Sequence, residues 1–326
     1  RLVSDWSSDV CSSDLVGGSF GFERTGIRGL FAMEPFRFNL SVKPVVNEKL
    51  SAVVPALFSE TVNSNLRVKK WLKWLRPTVS HHHGVYVVLL VSFLTGAAAA
   101  QHWSIATTLV LMCALAVFQA EYPLSLQLQN RRSWKPRYLI WGGVYGAIAT
   151  GIAAYLYLQT PLLLWVYLGA IAALIIDVVS ILYRQQRSRV NELMTFAAVC
   201  LSAPFAYVAT TGTIDSSIVG LWLLNTLFFG GTIFTVKLRK PKTASPLPTI
   251  VYHVISTAVI LGLCFVGWLG SFTALGSSIA ILKAVFILTH KEWYCTVPIY
   301  RVAALETVCG ILFMAIASLS LLPITL

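Results

Sequence analysis

The sequence predicts an all-α membrane protein with about nine transmembrane helices, its N-terminus cytoplasmic and its C-terminus outside. Composition is the first reason. Hydrophobic residues make up 56% of the 326 and charged residues 12%, against roughly a quarter charged in a soluble domain. Mean hydropathy is +0.73. The second reason is a succession of apolar runs, each near the ~20 residues that a helix needs to cross a bilayer. The third is where the positive charge falls. The net +12 gathers in every second loop, which is a topology signal and not a nucleic-acid footprint.

Residues 1–32 have no hydrophobic period and resemble a translated adapter tract; the first Met is Met33. They are expected to be a non-native tail and are set aside. Residues 33–79 form a cytoplasmic N-terminal segment. Within it, Leu66, Trp71, Leu72, Trp74 and Leu75 alternate with Arg67, Lys69, Lys70, Lys73 and Arg76. That pattern over 66–76 suits a short basic helix in the headgroup region of an anionic leaflet; a solvated linker is the alternative. The transmembrane domain is 80–326. Its spans are expected near 84–100, 103–123, 138–158, 161–182, 192–211, 216–236, 249–269, 271–289 and 302–322. Pro204 should kink the fifth, and Pro161 opens the fourth, where proline is tolerated. Gly96 and the pair Gly142 and Gly146 are expected to allow close helix packing.

Basic residues precede the first span and follow the second (Arg131, Arg132, Lys135, Arg137), the fourth (Arg184, Arg187, Arg189), the sixth (Lys237, Arg239, Lys240, Lys242) and the eighth (Lys291, Arg301). The loops between, at 101–102, 159–160, 211–215 and 270, hold no Lys or Arg. A miscounted helix would break this alternation, so the positive-inside rule fixes the orientation.

Ionisable residues inside the spans then acquire a depth. Glu121, Asp177, Glu192, His253, Lys283 and Glu306 all fall in the cytoplasmic half. A charge in hydrocarbon is costly unless paired or wet. A polar cavity open to the cytoplasm is therefore expected, drawn from His83, Glu121, Asp177, Glu192, Asn225, Lys237, His253, Lys283 and Glu306. Lys283 has Glu306 or Asp177 as partner, or else snorkels to the interface. Arg131, Arg132, Lys237, Lys283 and Arg301 are the anion-binding candidates. No metal site is assigned: the imidazoles of His81, His82 and His83 point in different directions along a helix, and no Cys/His metal spacing occurs among the six cysteines. No Walker loop, dinucleotide fingerprint or nucleophile elbow is present, and no cofactor is expected.

Several features in order resemble a known family. They are His83-Gly84, Asn191-Glu192-Leu193, Ala203-Pro204 with Tyr207, Val236-Lys237, Tyr252-His253, and Arg301 with Glu306. Together they resemble the YwiC-like family of bacterial membrane proteins, over roughly residues 80–312. That pattern is in turn similar to the UbiA superfamily of nine-span prenyltransferases, which implies a UbiA-like bundle. UbiA enzymes hold isoprenyl diphosphate through two Asp-rich motifs that bind magnesium after the second and sixth spans. Here the first place has one carboxylate, Glu121, and the second, 225–242, has none.

The resemblance leads to a protein without an assigned activity in the bacterial cytoplasmic membrane. Its expected role is to bind an anionic amphiphile (lipid, quinone or isoprenoid) in the cytoplasm-facing cavity. The alternatives are a divergent prenyltransferase without the magnesium motifs and a small-anion transporter. The bilayer is the expected partner; nucleic acid is not.

Overall fold

The computed structural model describes residues 77–80, 82–130, 133–185, 188–240 and 245–322. The tail 1–32, the basic stretch 66–76, His81, Arg131 and Arg132 lie outside the described residues. The helices below all belong to one compact unit, which contains Thr78–Leu326.

Twelve helices are described: α1 His83–Ala99, α2 Ile105–Gln129, α3 Pro136–Gln159, α4 Leu163–Leu182, α5 Arg189–Cys200, α6 Ser202–Thr211, α7 Ser216–Lys237, α8 Leu247–Phe265, α9 Ser271–Leu275, α10 Ser278–Thr289, α11 Lys291–Thr296 and α12 Ile299–Leu321. There is no strand among the described residues. Two pairs are single crossings with a break, α5 with α6 and α9 with α10. Eight crossings are then long and apolar enough to span a membrane, and α1, at 17 residues, is a shorter apolar helix beside them. Each corresponds to one of the nine expected spans.

The breaks have local causes. Pro204 lacks an N–H and its ring clashes with the carbonyl four residues back. That carbonyl belongs to Cys200, the last residue of α5. Leu201 makes the turn, and the Phe205 N–H resumes the ladder on the Leu201 carbonyl at 3.0 Å. At the second break, Ser277 turns its hydroxyl back to the Ala274 carbonyl at 2.7 Å, offering the backbone an alternative to continued helix. Proline does not always stop a span: α2 carries Pro123 inside it and runs to Gln129, past the expected end at 123.

α7 is the centre of the bundle, with 67% of its most apolar window buried, while α3 and α4 have 17% and 11%. Ile218, Leu221, Leu224, Phe228, Phe229 and Ile233 of α7 pack with Val88 and Val91 of α1, Phe196 of α5 and Phe313 of α12. On α4, Leu164, Trp165, Leu168, Ile171, Leu174 and Ile175 are exposed, as a face toward hydrocarbon requires. A second core holds α1, α2, α3, α4 and α6 together around Phe93, Val110, Leu156, Leu163 and Val208.

Candidate functional site

A lysine placed about seven residues from a helix end lies roughly 10 Å into the span. Lys283 does not snorkel from there: it is only 4% exposed. Its Nζ donates to Glu306 Oε2 at 2.6 Å and to Thr232 Oγ1 at 3.3 Å, and it stands 5.6 Å from the centre of the Phe228 ring. Thr232 in turn donates to Glu306 Oε2 at 2.8 Å. α7, α10 and α12 thus meet at one buried, hydrogen-bonded ion pair. Between the two partners open to Lys283, the structure selects Glu306 over Asp177.

His253 of α8 stands beside this pair. Its Nδ1 is 2.8 Å from the Thr249 carbonyl, so the neutral ring carries its proton on Nδ1. Nε2 is buried without a partner among the described residues and faces Gly231, where an added Cβ would lie 3.1 Å away. Tyr252 packs on Gly230 in the same way and donates to the Leu227 carbonyl at 3.0 Å. The pair Gly230-Gly231 is what admits Tyr252-His253 so close to α7.

The other expected cavity residues do not join this group. Lys237 pairs with Glu192, at 12% and 8% side-chain exposure. Next to them Asn191 Nδ2 donates to Asp177 Oδ1 at 3.4 Å, and Asp177 is within electrostatic range of Glu121. That makes a second polar cluster, on α2, α4, α5 and α7. Asn225 is in a third, at mid-span: it donates to Thr95 Oγ1 at 3.2 Å and to the Leu221 carbonyl at 2.9 Å, and it accepts from Ser92 at 3.3 Å. His83 is exposed at the start of α1. Arg301 is exposed and lies against its neighbour Tyr300, with 3.3 Å from Nε to the hydroxyl. A single vestibule was expected; the helix rotations divide it into three clusters.

At the end of the bundle that bears the basic loops, Arg239 donates to the carbonyls of Tyr294 and Val297 at 2.6 and 2.7 Å. Burial pushes the Tyr294 phenol above its ordinary value, so it stays neutral. Among the described residues no three His, Cys, Asp or Glu side chains form a group that could hold a metal ion.

One hollow reaches the Lys283–Glu306 pair, and a second opens beside His253. A cavity of about 50 Å³ reaches Glu306 and Thr232. A larger groove of about 620 Å³ opens between α8 and α10, lined by Ile250, His253, Val254, Leu261, Ile281 and Val285, among others. Sequence reading did not single out Thr232, Gly230, Gly231 or this groove. The Gly-Gly-Thr run in an otherwise bulky span was the available signal.

A helical bundle with ion pairs buried between its crossings and an apolar groove at its flank is a multi-pass membrane protein. The family model described as YwiC-like protein matches residues 79–207, which bears out the family resemblance over α1 to α5 and most of α6. The features from Val236 to Glu306 lie beyond the match. Comparison with curated proteins and with solved structures gives no match, and the likeness to UbiA enzymes rests on the sequence features alone.

Proposed function

We propose that this protein binds an anionic amphiphile (a lipid, quinone or isoprenoid) in the bacterial cytoplasmic membrane, with the apolar tail in the α8–α10 groove. The observation that carries the reading is the groove itself. Its 620 Å³ is in the range of small-molecule sites, which are concave and mostly apolar with few polar groups. Here those groups are Thr249, His253 and Thr257. The expected cationic cavity is a poorer home for the head, because Lys237 and Lys283 are each paired with a carboxylate. The head instead meets the basic-loop end of the groove, where Leu288 of the lining is followed within three residues by His290 and Lys291.

The test is lipid retention. Protein purified in mild detergent would be delipidated in steps and the retained amphiphile identified by mass spectrometry. Ala258→Trp puts an indole into the groove from an exposed position and is expected to lose the retained species. The same species at the same stoichiometry in Ala258→Trp would contradict the groove as its site.

A further inference from the structure

The α8–α10 groove has three polar side chains on its wall, Thr249, His253 and Thr257, and each turns its donor elsewhere. The Thr249 hydroxyl donates to the Phe234 carbonyl at 3.3 Å, and the Thr257 hydroxyl to the His253 carbonyl at 2.7 Å. His253 gives its Nδ1 proton to the Thr249 carbonyl, and its Nε2 faces Gly231 of α7. Among the described residues that line the groove there is thus no spare N–H or O–H, and no Phe, Tyr or Trp. A quinone ring would bring two carbonyl acceptors out of water to a wall without donors, which is costly. A plain hydrocarbon chain has no acceptor to leave unpaired.

The ends of the groove set its length and depth. Thr249 and Leu261 are twelve residues apart on α8, about 18 Å at 1.5 Å per residue. Half of a ~30 Å hydrocarbon core is about 15 Å, so the groove runs the depth of one leaflet. Just past its Leu288 end, Trp293 is 44% exposed and meets Phe286 edge-on, and His290 stacks on the same ring at 4.8 Å. Tryptophan favours the headgroup level, so this end of the groove opens among the headgroups on the basic-loop side. The flank is open to hydrocarbon as well: Val254 and Leu261 are 63% exposed and Val285 53%.

We infer that the occupant is one acyl chain of an anionic phospholipid of the cytoplasmic leaflet, with its phosphate at His290 and Lys291. The inference rests on the amphiphile reading of the groove and names the amphiphile. An open wall without donors or bulky aromatic rings has no contact with which to prefer a branched, unsaturated isoprenoid chain. Bulk acyl chains therefore fill it by mass action, and head charge at the basic end chooses among them.

Reconstitution tests this. The protein would be placed in vesicles of phosphatidylethanolamine and phosphatidylglycerol with identical acyl chains, with menaquinone and geranylgeranyl phosphate as minor components. After mild extraction, native mass spectrometry reads what stays bound and in how many copies. Phosphatidylglycerol is expected to be retained several-fold above its share of the vesicle. Ala258→Trp should lose one bound copy, and the double variant His290→Gln/Lys291→Gln should lose the enrichment. Should Ala258→Trp fail to fold, as judged by gel filtration, Val285→Trp blocks the groove from α10 instead. Menaquinone or geranylgeranyl phosphate retained by wild type and lost on blocking would leave the groove standing and overturn the phospholipid. Phosphatidylethanolamine and phosphatidylglycerol retained in proportion to their shares, or an enrichment unchanged in the double variant, overturns it too. The same species in the same copy number in wild type and blocked protein removes the groove reading, and this inference with it.

Discussion

Asn225 has no exposed surface at mid-span, yet its amide is occupied by Ser92, Thr95 and the Leu221 carbonyl. Hydrocarbon offers no substitute for those partners, but the unfolded chain in a membrane finds others, so each such bond contributes about 0.6 kcal/mol, at most about 1.7. Asn225→Leu should therefore lower stability by about 1–2 kcal/mol, read as a lower Tm in detergent, with the ion pairs intact. An unchanged Tm would mean that Ser92 and Thr95 re-pair locally. The depth of Asn225 was legible in the sequence because spacing from the loop charges sets depth. Its company was not. Which residues meet across spans depends on helix rotation, and hydropathy does not encode rotation in a helix that is apolar all round. For the same reason the sequence places Glu121, Asp177, Glu192, His253, Lys283 and Glu306 alike in the cytoplasmic half, but only the fold shows that Glu306, His253 and Lys283 come together while Glu121, Asp177 and Glu192 join another cluster.

At the scale of the helix, close approach is decided by particular glycines. A Cβ on Gly96 would stand 2.2 Å from the Ala203 carbonyl oxygen, so α1 and α6 touch backbone to backbone there. A Cβ on Gly142 would stand 2.9 Å from the Leu124 side chain of α2, but Gly146 has open space where its Cβ would be. Gly96→Ala should cost about 1–3 kcal/mol, as overpacking does. Gly146→Ala should change stability by at most about 0.5 kcal/mol, as surface substitutions do. Equal Tm values for the two variants would contradict the packing at Gly96. The GxxxG spacing was visible in the chain, and only half of it is used for contact. The broken helices illustrate the same limit. Pro204 announces one break through its missing N–H, whereas the break at Gly276–Ser277 has no proline and lies where the Ser277 hydroxyl bonds back to the Ala274 carbonyl.

On the scale of the whole molecule, loop charge and span length predict nine crossings, and the helices follow them closely. The proposed amphiphile site lies on a surface between two crossings, where neighbouring helices leave room. The α8–α10 groove is such a surface, and no local pattern marks it. It is formed by apolar residues that would be unremarkable in any span. A photoreactive phenylalanine placed at Val254 of the groove, and for comparison at Leu168 on the lipid-facing side of α4, tests the central claim directly. After irradiation in native membranes, Val254 should yield one defined amphiphile adduct by intact mass, and Leu168 a broad mixture of bulk lipids. The same mixture at both positions would contradict a specific amphiphile site between α8 and α10.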